Sequence, residues 1–500
     1  MMRKVRWTKT LTLALTLSLP TISSAPAFAD DPLPIVVTHP LDGTMANVKH
    51  LAGYAGQSSV LPGENLSLHV LSRRTYSILV NRIGSYGGGN GSLIFSQLDQ
   101  PAVSQPAPKF TKKTRMVECH WSATQSLDTT TYVPGLYVVR LESTDGFALI
   151  PFVVRTANPS GTTLMKVGLL SLQVYNEYGK YSAYEGGKNR KFGKRSYVVS
   201  LNRPIDPLGY RTFKQFEVPI ATAVDRTLPN ASWTTDYDVA TGATPLAGVR
   251  SIVTGGHDEY WPVSERKAVE NAIKAGTNFF VTGANTMYWR VRLQSGPDGP
   301  NRRIAIYKEK RKDPVKKSQQ TTVRWRDSPK VNPESAVMGT SYMQWWYHCR
   351  SSDRPWNVVD ANWWGYADTG VVSGQQIAGL VGREVDQIVS SYPVPRHTQV
   401  IAHGTYKCKD TGKRFDRNHD ATYITTNSGG AIFASGSQRW PCAVNGACAT
   451  QWITPEANAF AKKVTENILL AFDAGPAGIT NPATYNVKSV TGKRPKRLDW

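Results

Sequence analysis

His257, Asp258 and Glu259 stand together in Gly255-Gly256-His257-Asp258-Glu259-Tyr260-Trp261, and Asn285 follows in Gly283-Ala284-Asn285-Thr286. An imidazole beside carboxyl groups suits proton transfer, and a carboxylate suits a hard cation. An amide such as that of Asn285 can hold a carbonyl oxygen or a water. Covalent catalysis finds no nucleophile elbow: neither Gly283-Ala284-Asn285-Thr286 nor Ala434-Ser435-Gly436-Ser437-Gln438 reads G-x-S-x-G. His257-Asp258-Glu259 gives the first half of a zinc-deaminase signature. The second half fails, because Pro441-Cys442 is followed by cysteine only at Cys448. Gly255-Gly256 lacks the third glycine of a dinucleotide loop. A glycosidase carboxylate pair, Glu259 with Glu384, stays open.

Such residues need strands that stop at a common edge. Ser251–Thr254 is a β-branched run that halts at Gly255. Ser264 then reads as an N-cap, Ala268, Val269, Ala272 and Ile273 as a buried helix face, and Gly276 as its end. Phe279-Phe280-Val281 is the next strand. Two successive strands releasing polar loops mark the ligand-binding edge of an open α/β sheet. The strand–helix rhythm runs from Leu164. Val167–Leu172 reads as a strand ending in the loop Gln173–Ser182, and Phe216–Leu228 as a helix with Pro219 in its first turn. Arg302–Met338 reads as loop, and Ala431–Ala434 as a late core strand. Thr454-Pro455 opens a final helix with Ala457, Phe460, Ala461, Val464, Ile468 and Ala471 on its apolar face. Earlier, Leu66, Leu68 and Val70 alternate with polar residues, and Leu136–Leu141 with Phe147–Val154 form a hairpin about Thr144-Asp145-Gly146. The expected fold is a three-layer α/β domain, glutamine-amidotransferase-like or flavodoxin-like, over residues 158–475. An immunoglobulin-like β-sandwich over 30–157 precedes it, and a basic, mobile tail over 476–500 follows.

Residues 1–29 read as an export signal: a basic start (Arg3, Lys4, Arg6, Lys9), the apolar run Leu11–Leu19, and Ala27-Phe28-Ala29 before the cut. The expected product is secreted, cleaved after Ala29, without stable membrane insertion. The net charge is +22, and +18 without that segment's four basic residues. The basic runs Lys188–Arg195, Lys308–Lys317 and Lys493–Arg497 are scattered and carry no nucleic-acid motif, so no nucleic-acid partner is expected. Export permits disulfides. Cys442–Cys448 and Cys349–Cys408 are candidate pairs that leave Cys119 over, and sequence does not fix the pairing. Trp345-Trp346 and Trp363-Trp364 read as core or pocket wall, with a sugar platform as the alternative.

The segments Leu172-Gln173-Val174-Tyr175-Asn176, Val199–Pro204, Gly255–Trp261, Gly283–Arg290, Thr322–Arg326, Gly379–Asp386 and Ala431–Ser437 together resemble the C-terminal domain of the N,N-dimethylformamidase large (beta) subunit family. The resemblance runs along most of 164–472 and extends to the sandwich through Tyr54, Ser58, Pro62-Gly63 and Gly135-Leu136-Tyr137. It implies a mononuclear iron (Fe3+) site of two tyrosines and one carboxylate, with Tyr137, Tyr175 and Glu259 as ligands. It places His257 and Asn285 beside the metal and gives Glu384 a part in moving protons. Tyr178, Tyr181 and Tyr184 compete with Tyr175 for its role. The activity implied is hydrolysis of an amide or related C–N bond, on a small-molecule amide or an unknown substrate. The family's amidase also uses a small partner subunit, and an oligomer stays open. The alternatives are a non-catalytic extracellular glycan-binding protein with a vestigial site, or a carboxylate-based glycosidase.

Overall fold

In the strand Asn65–Ser72, Leu66, Leu68 and Val70 turn inward while their neighbours stay more exposed, the period-two pattern of a half-buried strand. A computed structural model of the chain describes residues 36–316, 319–343, 354–410, 413–445 and 453–500. The export signal lies outside the described residues, as do Trp345, Trp346 and one cysteine of each candidate disulfide. Asn65–Ser72 lies between Leu51–Ala55 and Gln125–Asp128 in a three-stranded sheet. A six-stranded sheet faces it, ordered Val37–Thr38, Gly89–Gln100, Tyr76–Tyr86, Gly135–Ser143, Gly146–Val154, Ser59–Val60. The hairpin expected about Asp145 is present, with Ser143 opposite Gly146. Leu66, Leu68, Ile78, Val80, Val139 and Phe152 fill the space between the sheets.

The strand–helix rhythm after Leu164 builds a seven-stranded mixed sheet. Its strands in chain order are β1 (Thr163–Val167), β2 (Ser232–Thr235), β3 (Ser251–Thr254), β4 (Asn278–Val281), β5 (His397–Asp410), β6 (Lys413–Thr425) and β7 (Ala431–Ala434), arranged β2-β1-β3-β4-β7-β6-β5. β2, β1, β3, β4 and β7 run parallel, and β6 and β5 are antiparallel additions. Both faces are covered, which explains strands apolar on both sides. Met165, Val167, Val253, Phe280 and Phe433 pack with Ile220, Val224, Phe460 and Val464 of helices Val218–Thr227 and Pro455–Asp473. Leu164, Ile252, Phe279, Val281 and Ile432 pack with Val239 of helix Asp236–Thr241 and with Val269 and Ile273 of helix Val263–Lys274.

Several local expectations need correction. The apolar strand expected over Val167–Leu172 ends at Val167, and Leu169–Tyr175 is a helix, so Tyr175 closes a helix and is not a loop residue. Helix Val263–Lys274 starts after Pro262, so Ser264 lies inside its first turn and its Oγ bonds Ala240 O at 2.6 Å. Arg302–Met338 contains the end of strand Gly299–Ala305 and helix Ser335–Met338. The tail after Gly475 is docked. Val487 is buried, Asn486 exchanges two hydrogen bonds with the Val400 backbone, and Arg497–Leu498 pairs with Val394–Pro395. The final helix starts as expected, with the Thr454 hydroxyl accepting from Ala457 N at 3.1 Å.

Sandwich and sheet meet through polar side chains. Ser59 Oγ bonds Asp238 at 2.8 Å, Arg82 pairs with Asp225 at 2.7 Å, and Arg302 reaches the Ala55 carbonyl at 3.3 Å.

Candidate active site and metal pocket

β1, β3, β4 and β7 all end at one edge, and each contributes to one pocket. Two glycines let the loops close. A Cβ on Gly283 would lie 1.9 Å from the Gly256 carbonyl oxygen, and one on Gly255 would strike the Glu217 carboxyl. The Glu259 backbone is then fixed on both sides. Its N–H donates to Ser171 Oγ at 3.0 Å, and its carbonyl accepts from Tyr288 N and Trp289 N at 3.0 and 2.9 Å. Beneath it, fully buried Lys166 of β1 bonds Asp258 at 2.6 Å and Glu265 at 2.7 Å. Asp258 is therefore a support, with its charge turned away from the pocket chemistry.

The loop after Tyr175 is gathered by Arg203. Its buried guanidinium donates to the carbonyls of Gln173, Asn176 at 2.9 Å and Tyr181 at 3.0 Å. Asn176, also buried, donates to Pro204 O at 2.7 Å. The Gln-x-Tyr-Asn and Asn-Arg-Pro segments thus act together to aim two tyrosines. Tyr175 OH donates to Glu259 Oε2 at 2.6 Å. Tyr184 OH lies 3.0 and 3.1 Å from the two Glu259 oxygens and 3.0 Å from Tyr175 OH, and it touches Tyr260 OH closely. Lys308 completes the cluster, with Nζ 3.3 Å from the Tyr184 ring centre and donating to Tyr260 OH at 3.3 Å.

Tyr137 does not join them. Its ring stacks between Tyr132 and Phe152 at 5.3 Å in the sandwich core, and its hydroxyl donates to Val133 O at 2.8 Å. Its assignment as a ligand is corrected: strand pairing in the sandwich turns it away from the α/β edge. Tyr184 is the second phenol beside Glu259. The signal was a tyrosine shortly after the Gln-x-Tyr-Asn segment, with three tyrosines competing. Of the others, Tyr178 packs against Cys119 and Tyr181 against Phe110.

The remaining expected residues do converge. His257 Nε2 lies 3.6 Å from Glu259 Oε2 and 4.0 Å from Glu384 Oε2. Glu384 Oε2 accepts from Asn285 Nδ2 at 2.9 Å and from Gln438 Nε2 at 2.6 Å, and Gln438 Nε2 also sits 2.8 Å from His257 Nδ1. Gln438, which the sequence did not single out, ties the imidazole to the second carboxyl. Asn285 takes φ +60°, and its N–H donates to Asp386 at 2.9 Å, so the turn is held from outside the loop.

Burial sets the protonation states. It pushes the Tyr175, Tyr184 and Tyr260 phenols well above their ordinary range, with the Glu259 charge adding to it. Burial raises Glu259, and it raises Glu384 strongly with the Glu259 charge adding. His257 is pushed down to about 3 by burial, then by Arg383. Lys308 is pushed down to about 7 by burial, against the pull of Glu259. Burial thus favours the neutral forms of the phenols, the imidazole and Glu384. A cavity of about 420 Å³ opens onto them.

These oxygens fit a hard cation. Tyr175, Tyr184 and Glu259 bring phenol and carboxylate oxygens to within 3.1 Å of one another, with no sulfur or nitrogen in the set. A second group able to hold a metal is Glu118, His120 and Asp298. There Arg303 grips both Glu118 oxygens, and His120 spans the two carboxylates at 3.4 and 2.8 Å. That arrangement is an ion-pair network already balanced by its own cation.

A buried cluster of oxygen donors at the carboxyl edge of a parallel sheet is a candidate small-molecule site. The model of the family "N,N-dimethylformamidase beta subunit-like, C-terminal" matches residues 77–452, and the chain belongs to that family. No curated protein matches the chain.

Proposed function

We propose that the chain is an exported, metal-dependent hydrolase that cleaves an amide C–N bond, with iron held by Tyr175, Tyr184 and Glu259. The observation that carries this reading is the meeting of those three side chains at the cavity floor, with His257 and Glu384 beside them. Family membership supports the reaction class. A ferric ion bound there would supply Lewis acidity, favouring phenolate over phenol and polarising a carbonyl or water.

The chain's own residues handle orientation and protons. Water adds to the carbonyl carbon, the C–N bond breaks, and the products are a carboxylic acid and an amine. Glu384 accepts two amide donors on Oε2, which leaves Oε1 to hold a proton and return it to the departing nitrogen. His257 remains neutral. Gln438 donating to Nδ1 leaves the ring proton on Nε2, between the two carboxyl groups. Asn285 and Gln438 fix Glu384, and Phe216, 5.4 Å from the imidazole, shields it from water.

Phenols engage both oxygens of Glu259, which favours a ligand role for it over attack on a sugar. Trp363 and Trp364 pack against Tyr423 in the core and form no sugar platform. The test is amine release from simple amides by protein reconstituted with ferric iron. Release that is lost in Glu384→Gln supports the reading. Equal release with and without iron, or unchanged release in that variant, removes it.

A further inference from the structure

The cavity is far larger than the family's namesake amide requires. Two methyls, a nitrogen and a formyl group fill roughly 120 Å³ at about 30 Å³ per water-sized group, whereas the cavity measures about 420 Å³. Cavities of this size, roughly 300–1,000 Å³, enclose drug-sized ligands.

The added space has an aromatic wall. Phe216 lines it on the side of His257, and Tyr288, Trp289 and Tyr342 line it as a group, with Tyr288 5.1 Å from Trp289 and 5.4 Å from Tyr342. Leu208 extends the apolar surface. Phe216, Tyr288 and Tyr342 are all at least nine-tenths buried, and each lines the cavity. The carboxyl of Glu259 and the phenols of Tyr175 and Tyr184 line the same cavity. A small dialkyl amide would fill only part of this volume.

We infer that the substrate is an amide carrying a ring-sized apolar group, an aryl or arylalkyl amide, whose ring lies against Phe216 and the Tyr288–Trp289–Tyr342 wall. The amide lies at the Tyr175–Tyr184–Glu259 floor. This rests on the hydrolase reading above. Offset or edge-to-face contact with such rings contributes to ring binding in addition to simple burial.

The test compares iron-loaded protein on N,N-dimethylformamide, formanilide, N-benzylformamide and benzamide. Binding of acetanilide is followed separately by quenching of tryptophan fluorescence. At least one ring-bearing amide is expected to exceed dimethylformamide in kcat/KM by about tenfold or more, with saturable quenching by acetanilide. Phe216→Ala is expected to lower that ratio. Phe216→Leu, which keeps bulk without a ring, is expected to lower it less, and this separates ring contact from misfolding. Dimethylformamide cleaved as well as every ring-bearing amide, with no saturable quenching, overturns the inference and leaves the hydrolase reading intact. Cleavage of no amide at all overturns both.

Discussion

Tyr184 and Tyr137 differ in what they touch, and that difference decides which of them can serve a metal. Tyr184 reaches both oxygens of Glu259, whereas Tyr137 spends its hydroxyl on a backbone carbonyl in the sandwich. Tyr184→Phe is therefore expected to lower bound iron, read by elemental analysis. Tyr137→Phe is expected to leave bound iron unchanged and cost about 1 kcal/mol of unfolding free energy, the value of one buried hydrogen bond. Much of this site was legible. His257, Glu259 and Asn285 sit in strand-end loops that offer no core, and Glu384 and Tyr175 followed from the family resemblance. Tyr184 was present only as one of several competing tyrosines, because spacing along an irregular loop does not fix direction. Lys308 was read only as part of a basic run, because sequence does not reveal that a lysine is buried against aromatic rings.

At the scale of elements, the site depends on loops that approach more closely than side chains permit. Gly283→Ala would set a methyl 1.9 Å from the Gly256 carbonyl, so the loops after β3 and β4 must part. Chemical denaturation should show a loss of about 3 kcal/mol or more, together with weaker iron retention. Lys166→Met leaves Asp258 and Glu265 buried without their shared cation. The expected loss is about 3–5 kcal/mol, the cost of breaking a buried pair, and it reads as a lowered denaturation midpoint. The hairpin about Asp145, helix Val263–Lys274 and the final helix were legible because turn residues and apolar periodicity agree there. Helix Leu169–Tyr175 was not. Leu169, Leu170 and Leu172 form a short apolar run that serves strand and helix alike, and tertiary contacts decide. Asp236 accepts from Leu169 N and Leu170 N at 3.2 and 2.8 Å, holding the first turn.

For the whole molecule, a buried carboxyl makes stability depend on pH. Glu217 sits under Gly255 and accepts from Gly168 N at 2.9 Å, and burial raises its pKa to about 8. Folded chains keep this proton where unfolded chains release it. Its contribution is thus fully present below about pH 4.5, the ordinary glutamate range, and is lost as pH rises through about 8. Glu217→Gln retains an acceptor for Gly168 and removes the titration. Melting curves should show the variant close to the natural protein near pH 4.5 and more stable near pH 8. The docked tail matters at the same scale. It buries Val487 and pairs with Val394–Pro395, which composition concealed because its charges made it read as loose. Truncation after Gly475 should lower Tm by about 5 °C or more. The most direct measurement of the proposed iron site is the visible spectrum and metal content of the purified protein. The account predicts near one iron per chain, a phenolate-to-iron band that shifts or fades in Tyr184→Phe, and the same band intact in Tyr137→Phe. An iron-loaded protein whose band survives Tyr184→Phe, or a chain that retains no metal under any loading, would contradict it.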